Sequence, residues 1–354
     1  MHSKDIDFSG MNIYVGLDVH KKSWSVTILT DEIEHKTFTQ PPSPDILSSY
    51  LNKHFPGADY YSAYESGFSG FGHHRKLIEL GIKNIVVNAS DVPTTGKEKA
   101  GKTDKVDSRK IAKGLRNRSL DAIHVFDEAS QDLRSFARMR HIMQRDLRRS
   151  KQRIKMFLFY NTISIPVELD NENWTKAFEA WLEQVKFPTE RGKTAFSFLL
   201  SNYHFQKKQI RQISNELRAY FRKFHKENYT LLQSIPGIGP LSSIAIITEL
   251  GDINRFHNIN KLSSYVGLAP LTNSSGETER VGSISYRCNK FLRTILVEAS
   301  WVSIRKDPAM LFYYRKHASK SNGKRAIIKV AAKLLNRIRY VLKNKETYEL
   351  AVVE

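Results

Sequence analysis

The sequence predicts an α/β domain followed by helical segments, and three observations carry that prediction. Three short runs near the start, Asn12–Asp18, Ser23–Thr30 and His35–Thr39, are rich in β-branched and aromatic residues and broken by turns, as a meander would be. After the break at Pro41–Pro44, strand-like and helix-like segments alternate, which implies a sheet with parallel members. From Gln131 the chain turns helical in character, with Ile210, Ile213, Leu217, Phe221 and Phe224 recurring at spacings of three and four.

Taken in order, the alternating part predicts a helix to about Lys53, a strand Asp59–Glu65, a helix about Gly70–Leu80 and a strand Lys83–Asn88. Val106, Ile111, Ala112 and Leu115 then give Asp104–Arg118 one helical face, closing a first domain over residues 11–127. Residues 128–227 read as a helical coiled-coil region in which Gln131–Tyr160 and the Ile210–Phe224 seam pair as an antiparallel or intermolecular coiled coil. Trp174–Ser201 is the connector between them. Residues 228–346 read as a compact helical domain with short loops.

A chain of 354 residues has ample core for two or three domains, and 40% hydrophobic with 26% charged residues excludes a disordered tail. The 56 Lys+Arg against 36 Asp+Glu leave a formal charge of +20, which points to a polyanion partner. The charge is concentrated. Asp132 to Lys155 holds nine Lys/Arg and two Asp, and residues 286–345 hold sixteen Lys/Arg against Glu298 and Asp307. A single cysteine, the polar start MHSKDIDFSG and the lack of a long apolar run lead us to expect a cytoplasmic protein away from membranes.

Asp18 and Glu65 each end a predicted strand, and Asp104 and Asp107 lie three apart on one helical face. In an RNase H-like sheet the first and fourth strands lie side by side at the centre and a helix after the fifth crosses their ends, so the four carboxylates converge. Like-charge repulsion then calls for cations, and oxygen donors suit Mg²⁺ or Mn²⁺. Two such ions about 3.5–4 Å apart would flank a phosphate in an in-line displacement. A competing pattern, Gly96 to Thr103, matches the phosphate-cradling GxxxxGK[ST]. It stands well after its strand, carries Pro93 between, and leaves Asp18 and Glu65 without a role, so nucleotide hydrolysis is the lesser reading.

Further on, LLQSIPGIGP at Leu231–Pro240 resembles a helix-hairpin-helix element, with Gly237 and Gly239 permitting close approach of a nucleic-acid backbone. A serine in the loop sequence Asn273-Ser274-Ser275-Gly276, held near phosphate, has the chemistry of a nucleophile, and Arg280, Arg287, Lys290 and Arg293 would contact phosphates. Cys288 is expected as a buried structural thiol.

GLDVHK at Gly16–Lys21, YES at Tyr64–Ser66 and KTDKVDSRK at Lys102–Lys110 resemble the DEDD half of insertion sequence 110 family transposases. SIPGIGP at Ser234–Pro240, YVGLAP at Tyr265–Pro270 and SSG at Ser274–Gly276 resemble the other half. The resemblance implies a RuvC-like nuclease domain, a coiled-coil insertion and a C-terminal transposase domain. It also implies DNA recombination for a mobile element, with a structured bridge RNA as guide in members of the family. Residue by residue, Asp18, Glu65, Asp104 and Asp107 match the metal-binding tetrad. Ser275 matches the nucleophilic serine, with Ser274 and the more distant Ser285 as rivals. The chain departs from many relatives in having no glycine at Arg287–Asn289. The expectation is a metal-dependent transposase of the bacterial or archaeal cytosol that binds donor and target DNA, and a guide RNA, as a dimer or tetramer. It forms a covalent 5′-phosphoserine intermediate. A metal-only junction nuclease, a DNA invertase without RNA and a non-catalytic nucleic-acid scaffold are the alternatives.

Overall fold

A computed structural model describes residues 7–93, 103–170, 174–275, 278–284 and 287–350, with the backbone alone described over 270–284. The chain divides into two compact units, Met1–Phe126 and Asp127–Glu354.

The first unit is built on a five-stranded mixed sheet. Its strands are β1 (Asn12–Val19), β2 (Trp24–Leu29), β3 (Glu34–Gln40), β4 (Asp59–Glu65) and β5 (Lys83–Val87), in the order β3-β2-β1-β4-β5. The first three pair antiparallel as a meander, while β4 lies parallel to β1 and β5 parallel to β4. The connections are α1 (Pro44–His54) and α2 (Gly72–Glu79), and α3 (Asp104–Arg116) follows β5. Ile13, Val15 and Leu17 point from β1 into a core completed by Leu47 and Leu51 of α1 and Leu77 of α2. Side chains alternate along a strand, so Gly16 and Asp18 face the other side of the sheet, where α3 packs.

That contact is unusually close because it is made of small groups. Ser108 of α3 bonds Ser25 and Thr27 of β2 at 3.2 and 2.9 Å, and Gly16 has no side chain to hold the helix away. A Cβ at Gly16 would fall inside contact distance of the Ser108 carbonyl and the Ala112 amide, both backbone. Gly16→Val therefore has to lift α3 and its first-turn aspartates off β1. We expect at least about 3 kcal/mol of destabilisation, the upper end for an overpacked core, measured by denaturant unfolding.

The second unit is helical. Its elements are α4 (Glu128–Tyr160), α5 (Lys176–Gln184), α6 (Glu190–Phe224), α7 (Lys226–Gln233), α8 (Pro240–Leu250), α9 (Ile259–Val266), α10 (Lys290–Lys306), α11 (Pro308–Ala318) and α12 (Gly323–Asn344), with the hairpin β6 (Pro270–Ser275) and β7 (Thr278–Ile284) between α9 and α10. Arg140 bonds Ser214 at 2.8 Å and Ser150 bonds Gln206 at 2.9 Å, so numbering rises along α4 as it falls along α6, and the pair is antiparallel within one chain.

Trp174–Ser201 is not a connector throughout. Thr189 caps α6 through a bond from the Gly192 amide at 3.1 Å, and Phe196, Leu200 and Tyr203 carry the buried seam down from there. Buried Ile, Leu and Val of α8, α10 and α12 form a separate core of this unit. The sheet of the first unit and the helices of both are the mixed α/β and helical architecture expected from the sequence. Among the described residues no helix is long and apolar enough to cross a membrane.

Candidate active site

Asp18 stands one step beyond the Leu17–Tyr64 pair of β1 and β4, and Glu65 one step beyond the same pair on the neighbouring strand. Both therefore sit at the carboxyl ends of adjacent parallel strands and on the α3 face, which is where ligands gather in open α/β sheets. Thr103 starts α3 by accepting from the Val106 amide at 3.4 Å, which puts Asp104 and Asp107 in the first turn. The four carboxylates line one cleft of ≈ 410 Å³, together with His20, Thr103 and the segment Ser66–Ser69.

Within the cleft, Asp18, His20 and Asp104 come closest, each offering a ligand atom within 4.8 Å of the others. His20 Nε2 is 3.1 Å from Asp18 Oδ2 and 3.7 Å from Asp104 Oδ1. Asp107 takes a bond from the buried Lys110 at 3.1 Å. Burial pushes the Asp18 carboxyl above its ordinary value. His20 opposes this by charge and hydrogen bond, whereas the charges of Asp104 and Asp107 add to it. A carboxylate so placed gains from a nearby cation.

His20 and Lys110 were given no role by sequence reasoning. Both lie inside the quoted motifs, His20 two residues past the strand-end aspartate and Lys110 one helical turn past Asp107. The GxxxxGK[ST] stretch falls outside the described residues except Thr103, whose hydroxyl is used as the helix cap.

Ser274 and Ser275 end β6 and pair with Glu279 and Thr278 of β7, so the candidate serine closes a two-stranded hairpin. Arg280 lies within β7, and Gly276 and Ser285 fall outside the described residues. Gly237 has φ of +95°, and a Cβ there would strike the Ala299 carbonyl, so its close approach is to α10 of its own unit. Gly239 begins α8 and meets open space instead.

Arg287 and Lys290 are exposed at the start of α10, while Arg293 is half-buried and donates to the Gly267 carbonyl at 3.3 Å. Cys288 is half-buried rather than buried, because it packs over Gly267 at the edge of the core. Asn289 has structural work where a glycine would have none: it caps α10 through the Leu292 amide at 3.0 Å and donates to Glu249 at 2.6 Å.

Glu249 explains part of the basic charge on α4. Its side chain has no solvent exposure, yet it accepts from Arg134 Nε at 2.9 Å and from Arg138 Nη2 at 2.9 Å. Burial alone would raise its pKa. The hydrogen bond from Arg138 and the charges of Arg134 and Arg138 outweigh that and hold it below the ordinary value. Two of the nine cations counted on this helix are thus paired with a buried carboxylate.

Residues 15–160 match the DEDD transposase family of IS110 elements, and residues 229–315 match the "Transposase IS116/IS110/IS902 family". The two matches together take in about two thirds of the chain. "Putative transposase y4rJ" of Sinorhizobium fredii is 24% identical over 359 residues, covering 91% of this chain and 90% of that protein. "Putative transposase y4qE" of the same organism is 27% identical over 241 residues, covering 68% of this chain and 58% of that protein. The "Transposase for insertion sequence element IS1533" of Leptospira borgpetersenii is 24% identical over 251 residues, 70% of this chain and 72% of that protein. The first match contains Asp18, Glu65, Asp104 and Asp107, and the second contains Ser275. The chain belongs to the IS116/IS110/IS902 family of transposases, enzymes that act on DNA.

Proposed function

We propose that the chain cleaves and rejoins DNA for a mobile insertion sequence, using divalent metal at the carboxylate cleft and a covalent serine intermediate. The observation that carries this reading is the cleft itself, where adjacent strand ends and one helix turn bring Asp18, Glu65, Asp104 and Asp107 together. The donor set fits a hard cation: four carboxylates against one lysine and one histidine, with Asp18 and Asp104 within 4.8 Å. Asp18, Glu65, Asp104 and Asp107 would hold Mg²⁺ or Mn²⁺, which supplies charge stabilisation to a phosphate under attack.

The chain's own groups do the rest. Lys110 holds Asp107 in place from beneath, and His20 bridges Asp18 and Asp104. Ser275 Oγ attacks the scissile phosphorus, its proton passing to the departing 3′-oxygen, and keeps the 5′-phosphate as a serine ester. Attack on that ester by a 3′-hydroxyl of the exchanging strand rejoins the DNA and restores the serine. Arg280, Arg287, Lys290 and Arg293 neutralise backbone phosphates, and Gly237 with Gly239 shape a helix-hairpin-helix contact at the start of α8.

We assign residues 11–127 to the RuvC-like, RNase H-like nuclease domain, 128–227 to the coiled-coil region and 228–346 to the C-terminal transposase domain. Two duplexes require several active centres, so the working form is a dimer or tetramer in the cytoplasm. Specificity comes from base pairing with a bridge RNA transcribed beside the gene, which frees the side chains from reading sequence. A two-plasmid recombination assay with and without the native flanking DNA tests this. Joined product is expected only with the flanks. Product without them would overturn the RNA guide, and no product under either condition would overturn the recombinase reading.

A further inference from the structure

The second unit holds a cavity of ≈ 470 Å³ lined by α4, α6, α8 and α10, apart from every residue discussed so far as catalytic. Its floor is apolar, formed by Ala137, Leu217, Leu241, Ile244 and Ile295. One flank is basic, with Arg140, His141, Arg148 and Lys151 from α4. The other flank carries Ser242, Thr294 and Glu298, which is the one carboxylate lining the cavity among the described residues.

The cations are held differently. Arg140 is anchored on Ser214 at 2.8 Å and on Gln144 at 3.1 Å, and Lys151 Nζ stands 5.0 Å from the Trp174 ring centre. Arg148 is exposed and has no ion-pair partner among the described residues. The rings of His141 on α4 and Phe291 on α10 meet at 4.6 Å and 49°, and both are half-buried. Burial lowers the His141 pKa, and the charges of Arg148, Arg145 and Arg140 lower it further, against the opposing charge of Glu298.

We propose that this cavity seats one unpaired nucleotide of single-stranded DNA, with its base on Phe291 and His141 and its phosphates on Arg148 and Lys151. The combination of an apolar floor, an aromatic pair and a cationic flank is what unpaired strands require, because stacking needs a free base face and the backbone needs positive charge. A base inside a duplex has no free face to offer. The volume lies within the range of small-molecule sites, about 300–1,000 Å³. The inference rests on the reading that the chain handles cleaved DNA, since strand exchange is what generates unpaired ends.

Titration of the full-length protein with a single-stranded oligodeoxynucleotide carrying one 2-aminopurine tests it. Fluorescence is expected to quench on binding, and Phe291→Ala should restore it. Arg148→Gln with Lys151→Gln should weaken single-strand binding about tenfold and reduce the salt slope by about 1.4, the value for two lost phosphate contacts, while duplex binding stays unchanged. Arg148→Gln alone, at an exposed position, should give about half that slope change without risk to the fold. Unchanged affinity and quenching in these variants would overturn the cavity assignment alone. Equal losses on duplex, or tighter binding of the same sequence as RNA, would overturn the assignment to unpaired DNA. A wild-type protein that bound no DNA at all would overturn the functional reading beneath it.

Discussion

Asp18→Asn and Asp104→Asn each reduce metal-dependent strand cleavage by at least about 10³-fold, because each removes one of two carboxylates within 4.8 Å of each other in the cleft and with it charge that holds a cation against phosphate. Calorimetric titration with Mn²⁺ should show the loss of binding directly. The same variants should leave the metal-free fold intact, since the repulsion among Asp18, Asp104 and Asp107 is relieved rather than increased.

The sign of the pH effect on stability follows from the raised Asp18 carboxyl. The native state resists ionising this group where the unfolded chain already has. Metal-free wild type therefore loses stability as pH rises from the ordinary carboxylate range through the raised value. Asp18→Asn should remove that slope. Retained cleavage in either variant would detach the cleft from the chemistry.

A stability effect as large as that at Gly16 is expected at Glu249. Glu249→Ala leaves Arg134 and Arg138 facing a buried void and takes from Asn289 its shorter acceptor, leaving the Tyr265 hydroxyl at 3.4 Å. Breaking a buried pair costs about 3–5 kcal/mol, and the low end, about 3 kcal/mol, applies because Arg138 keeps part of its hydration. Urea unfolding of the variant against wild type measures it.

The depressed Glu249 pKa has the opposite sign to that of Asp18. Its contribution is complete above the ordinary glutamate range and fades as pH falls through the lower folded value. The wild-type minus Glu249→Ala difference should accordingly shrink in acid.

The strands were legible because β-branched and aromatic residues cluster between turn formers, and the strand-end carboxylates followed from the strands. The pairing seam of α6 was legible from the spacing of Ile213, Leu217 and Phe221, whereas the choice between antiparallel and intermolecular pairing was not, because spacing within one helix does not name its partner. The start of α6 was missed although Phe196, Leu200 and Tyr203 continue the same seam. Interposed polar residues such as Ser197 and Asn202 hid it, and the cap at Thr189 follows a proline that reads as a break.

His20 and Lys110 escaped for a different reason. Their meaning depends on which carboxylate they meet in space, and sequence spacing alone does not supply that. The basic count along α4 overstated the free charge in the same way, because Glu249 sits more than a hundred residues away in an apolar run. A lone glutamate within SSIAIITELG was the available sign of a buried partner.

The most direct test of the serine mechanism is to trap the protein on DNA carrying its own element ends, denature, digest, and locate the attached nucleotide by mass spectrometry. The account predicts a 5′-phosphodiester on Ser275 in wild type, and no adduct and no cleavage in Ser275→Ala. An adduct on Ser274 or Ser285, or a Ser275→Ala protein that cleaves as well as wild type, would contradict it.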